Sequence, residues 1–189
     1  MTKRLLNIGL ISTVLAIILQ FIAGFYELSG LNIIYLRLIT TGLYAILNIF
    51  ILLILRIILV KMFKQSHLDN ILRAMITISI LTTLLLILYF LHLGLFVMIT
   101  LTILLLINLI LYFIFIFRVM EIDKSEIHQI DHLKNYSLAF VICLFGQLIL
   151  SIIIEIYRIK GWDYFKHFLI LIPIIFIGIF FLKIKHEIR

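Results

Sequence analysis

A chain of 189 residues that is 65% hydrophobic and only 13% charged is not a water-soluble globular domain, which runs nearer about half apolar and about a quarter charged. One cysteine in the whole chain excludes a disulfide framework and any paired-thiol metal or redox site. The net charge of +7 does not point to nucleic acid, because the basic residues are scattered at the ends of apolar runs, where membrane proteins anchor themselves.

A helix that crosses ~30 Å of hydrocarbon needs roughly 20 mostly apolar residues. Six stretches meet that requirement, 5–26, 38–60, 74–91, 95–117, 136–157 and 165–182. They predict an all-α integral membrane protein, a single transmembrane domain over residues 1–189. No Ser/Gly/Pro linker or low-complexity polar tract marks off a second unit. With one proline and eight glycines in the chain, continuous helices are expected rather than the broken spans of inverted-repeat transporters.

The first span follows Lys3 and Arg4, as a signal peptide would, but its apolar run is longer than a signal core and no good small-x-small cleavage site follows. It is expected to be retained. Gly9, Ser12, Ala16, Gln20, Ala23 and Glu27 recur along it at steps of three and four, which places them on one helical face. Lipid supplies no hydrophobic force between helices, so small residues and an amide are what a packing seam needs; a narrow polar path is the alternative use of the same stripe. The second span carries Arg37, Thr41, Tyr44, Asn48 and Arg56, mostly along one face. Arg56 lies well inside this span, where a charge is a functional candidate by default. Its proximity to Lys61 favours instead a side chain that snorkels to the headgroups.

The apolar run 74–117 is too long for one span, roughly 65 Å as a helix, and His92-Leu93-Gly94 is the natural break. The third span is among the shortest of the six. LTTLLLI at 81–87 echoes LTILLLI at 101–107, a similarity that a Leu- and Ile-rich sequence produces readily by chance. Asn108, like Asn48 near mid-span, reads as a hydrogen-bond partner between helices.

The stretch 118–135 is the longest polar one. A helix over 124–134 would set His128 and His132 four apart on one face, the spacing at which two imidazoles share a metal. Asp123, Glu126 and Asp131 could add oxygens, but the Glu that an HExxH motif places after its first His is missing. The alternative is a short interfacial helix with a capping box from Asp123 and Glu126, Ile127, Ile130 and Leu133 facing lipid or protein, and its polar side free to dock a partner. The fifth span repeats the small-residue theme in Ala139, Cys143, Gly146, Gln147, Ser151 and Glu155. Its thiol behaves as a small apolar group.

Of the sixteen basic residues twelve fall on one side of this threading: Lys3, Arg4, Arg56, Lys61, Lys64, Arg73, Arg118, Lys124, Lys134, Lys183, Lys185 and Arg189. Short basic loops stay in the cytoplasm, so both termini are expected inside. No acid or His lies mid-membrane, which argues against a proton-driven carrier. Serine-protease, paired-aspartate, phosphate-loop and potassium-filter motifs are all absent from the sequence, and no cofactor or metal is expected. The residues point to a non-enzymatic membrane subunit in a bacterial cytoplasmic membrane, given the excess of isoleucine over alanine. It would self-associate through spare small-residue faces and present its cytoplasmic loops, 61–73 and 118–135, to a soluble protein. Membrane sensors, immunity proteins and membrane halves of phage-defence systems share this size and hydropathy. The alternative is a small channel or transporter with Gln20, Asn48, Asn108 and Gln147 along its path.

Overall fold

The structure, a computed structural model, describes residues 2–29, 34–90, 94–124, 127–157 and 164–187. Six long helices make up nearly all of it: α1 (Thr2–Leu28), α2 (Ile34–Arg56), α3 (Asp69–Phe90), α4 (Gly94–Met120), α5 (Ile130–Tyr157) and α6 (Tyr164–Glu187). Each contains a stretch long and apolar enough to cross a membrane, and the chain is a polytopic membrane protein.

Each helix packs against its neighbours in sequence, and α6 returns against α1, so the six form a closed ring. α1 and α6 run antiparallel, with Gly9 against Phe181 near one end and Gly24 against His167 and Phe168 near the other. Thr2 and Glu187 therefore lie at the same end of the bundle, here called the terminal end. The ring is not uniform. In α6 39% of the span is buried, but in α4 and α5 only 17%, because these two helices touch each other least.

The buried core gathers at the terminal end. Leu6, Leu52, Leu55, Leu59, Leu72 and Met75 from α1 to α3 meet Phe115, Val119, Phe180 and Phe181 from α4 and α6, all 1% exposed or less. In lipid such packing supplies dispersion contacts and fixed backbone approach rather than a hydrophobic force.

The helices run uninterrupted through their spans, and at its end α2 widens without breaking. Ile57–Met62 form a π-helical turn, in which the Phe63 amide reaches back to the Ile58 carbonyl, a widened turn that accommodates one extra residue. Lys64 then takes a positive φ of 56°, reversing the chain at a conformation that disfavours side chains, and the short 3-10 turn Ser66–Leu68 leads into α3. The third helix begins before residue 74 because Asp69, Asn70 and Arg73 continue it beyond the apolar run. Its spanning segment, Ser66–Leu88, is thereby 23 residues long. Residues 91–93, on which most of the expected break falls, lie outside the described residues, and α4 starts at Gly94. α6 accepts Pro173 inside a continuous helix.

Candidate functional site

A cavity of about 190 Å³ opens between α2, α4, α5 and α6. α2 contributes Tyr44 and Asn48, one turn apart on the face the sequence marks as polar. α4 contributes Tyr112, α5 contributes Tyr136, Phe140, Cys143 and Gln147, and α6 contributes Pro173 with flanking isoleucines. Tyr136 and Gln147 lie on the same helix, so at a rise of ~1.5 Å per residue the lining extends roughly 16 Å along the membrane normal.

The cavity's polar groups are few and uncharged. Asn48 Nδ2 donates to the Tyr112 hydroxyl at a long 3.5 Å. No hydrogen bond joins the hydroxyl of Tyr44 or Tyr136 to another described residue. Tyr112 and Phe140 stack with centroids 4.6 Å apart and planes 13° from parallel. Pro173 has no N–H, so the Leu169 carbonyl lacks its usual helical donor one turn back along α6.

Of the residues expected to line a path, only Asn48 and Gln147 share this cavity. Ser12, Ala16 and Gln20 are buried on the α1 face that meets α6. There the Gln20 amide oxygen lies 2.9 Å from His167 Nδ1, a bond that ties the far end of α1 to the start of α6. Gly178 accepts the Thr13 side chain, whose hydroxyl would lie 3.2 Å from an added Cβ, while Thr13 Oγ1 itself donates to the Leu10 carbonyl at 2.8 Å. On α5, Ser151 donates to the Gln147 carbonyl at 2.8 Å and Gly146 rests against Leu169 of α6. α6 thus packs against the small faces of both α1 and α5, although Gly146, Gln147 and Ser151 on α5 stay only half-buried. Asn108 stands apart on α4, its side-chain oxygen buried without a partner among the described residues.

Arg56 does not snorkel freely. Its Nε donates to Asp69 Oδ1 at 2.7 Å, and Asp69 Oδ2 accepts from Arg73 at 2.6 Å. The π turn and the Lys64 reversal bring the start of α3 back beside the end of α2, so a carboxylate the apolar pattern did not single out pairs with Arg56 while also serving Arg73. A shared carboxylate between two guanidinium groups is a strong, charge-assisted contact.

The helix expected over 124–134 is not formed. Residues 121–129 are turns, interrupted by the undescribed Ser125 and Glu126, and α5 begins at Ile130. His128 therefore precedes the helix and His132 lies in its first turn, so the two do not share a helical face, and no cluster of three metal-ligating side chains occurs among the described residues. Instead Ile122, Ile127, Ile130 and Leu133 are buried, at 3% exposure or less, and pin the connection to the core. Asp123, Lys124, His128 and Asp131 remain exposed. Lys124 pairs with Asp131, and Gln129 donates to Glu187 at 2.6 Å, linking the connection to the last turn of α6.

No family model, curated protein or solved structure matches this chain significantly. Sequence reasoning missed Tyr112, Tyr136 and Pro173, although Tyr112 follows Asn108 by one helical turn and Tyr136 precedes Ala139 by one. Hydroxyl-bearing aromatics inside predicted spans were the available signal.

Proposed function

We propose that this polytopic membrane protein is a non-enzymatic subunit of the sensor, immunity or phage-defence type. In this reading it sits in a bacterial cytoplasmic membrane with both termini inside and presents its terminal-end connections to a soluble partner. The observation that carries the proposal is the 121–130 connection, held from within by buried isoleucines and cross-linked to α6, yet exposing Asp123, Lys124, His128 and Asp131. A connection needed only to join two helices has no use for such anchoring. A docking surface does, since a preorganised surface loses less entropy on binding.

A photo-cross-linking residue at position 128 should give a covalent adduct with a soluble protein in intact cells. Replacing Asp123, Glu126 and Asp131 together with Lys should remove that adduct while leaving the protein in the membrane. An adduct that survives the reversal would sink the docking role.

The orientation rests on the twelve-to-four split of basic residues. Single cysteines at Ser66 and Gly161, introduced with Cys143→Ala, should react with an impermeant maleimide in intact cells at position 161 only. Labelling at position 66 from outside would invert the bundle. A second reading, a small channel or carrier, draws on the shared cavity of Asn48 and Gln147.

A further inference from the structure

We propose that the cavity between α2, α4, α5 and α6 binds the head group of a lipid quinone, a planar uncharged ring bearing carbonyl oxygens, admitted sideways from the bilayer between α4 and α5. Size sets the first constraint. Pockets that enclose a drug-sized ligand start near about 300 Å³, and this one holds about 190 Å³. It has room for a ring but not for a whole amphiphile, whose tail must lie elsewhere.

The route for that tail is visible in the exposure pattern. α4 and α5 meet toward the terminal end, through the Tyr112–Phe140 stack. Beyond it no described position of α4 from Phe96 to Leu111 is buried, and none of α5 from Leu144 to Tyr157. Only half-buried and exposed positions line both helices there, and this is where the tail would enter.

Charge and hydrogen bonding select the head. No acidic or basic side chain among the described residues lines the cavity, so an ionic head would be buried unpaired at a cost far beyond what neutral groups return. The hydroxyls of Tyr44 and Tyr136 lack partners among the described residues, and each can donate to an acceptor oxygen. A quinone presents two carbonyls of this kind at opposite edges of its ring. An outer face of the stacked Tyr112–Phe140 pair, both of which line the cavity, would hold a planar head better than a branched glycerol ester. The competing occupant is water, of which the cavity would hold about six molecules at ~30 Å³ each.

The inference does not depend on the docking role, and either can fail alone. The full chain in nanodiscs of synthetic phosphatidylcholine should show saturable quenching of its intrinsic fluorescence by decylubiquinone, together with a higher melting temperature. Tyr44→Phe with Tyr136→Phe keeps both rings and removes both hydroxyls. It should weaken binding about ten-fold, the loss expected of two neutral hydrogen bonds. The single variants give the same readout should the double variant fold poorly, and Ile18→Val, on the exposed face of α1, should bind as the wild type does.

Dioctanoylglycerol, which has carbonyls and a hydroxyl but no planar ring, should compete weakly. Equal competition would overturn the ring assignment in favour of a glycerolipid. Quenching that does not saturate, or that is the same in the tyrosine variants, would overturn the site and leave the cavity to water.

Discussion

Gly9→Ala is expected to destabilise the bundle by roughly 1–3 kcal/mol, the usual cost of forcing a methyl into a packed site. A Cβ at this position would stand 3.0 Å and 3.1 Å from ring carbons of Phe181 and 3.3 Å from Ile54 Cγ2. Phe181 is fully buried and tilts against Phe180, so it has nowhere to swing. Gly42→Ala should act in the opposite direction. No atom lies within 4 Å of its Cβ, and replacing a mid-helix glycine with alanine gains about 0.5–1 kcal/mol of backbone entropy. Reversible unfolding in bicelles measures both. Phe181→Leu placed on the Gly9→Ala background should recover part of the loss, because the two groups touch and their effects cannot be additive. Equal and small effects at Gly9 and Gly42 would mean that α1 and α6 are not in the close contact described.

The α1 stripe shows how much of this fold is legible in sequence. Small residues at steps of three and four mark a close approach in a membrane helix, and Gly9, Ser12, Ala16 and Gln20 are all buried. What the stripe cannot reveal is its partner. α6 carries no comparable small-residue face; it meets α1 with Phe181, Gly178 and His167, residues whose pattern along the chain is unremarkable.

The same asymmetry governs Arg56. Its position in an apolar run is plain, but its partner carboxylate comes from across a π turn and a positive-φ reversal, which no periodicity encodes. At 124–134, spacing suggests a helix. Burial of Ile122 and Ile127 from a turn conformation overrides it, since the chain gains more by anchoring those side chains than by extending α5 a few residues. The cavity was the least legible feature. Tyr44 and Asn48 show as a polar face, whereas Tyr112 and Tyr136 acquire meaning only when the ring closes around them.

In protein-only liposomes the potassium flux should match that of protein-free vesicles. Gln20→Leu and Gln147→Leu, singly or together, should leave it unchanged. The reason lies below the cavity. Between its floor and the terminal end stand Leu52, Leu55, Phe115, Phe180, Phe181 and Ile184, each 1% exposed or less. A close-packed apolar plug excludes water and closes a pore by dewetting. An unhydrated ion in such surroundings faces a Born penalty on the order of tens of kcal/mol, which no neutral amide near the cavity offsets. The polar groups are also not in series: Gln20 is engaged by His167 at the α1–α6 seam, while Gln147 faces the cavity on the other side of α6. Flux well above the leak, abolished by the two glutamine changes and indifferent to charge reversal at Asp123 and Asp131, would require the plug to open and would replace the docking subunit with a channel.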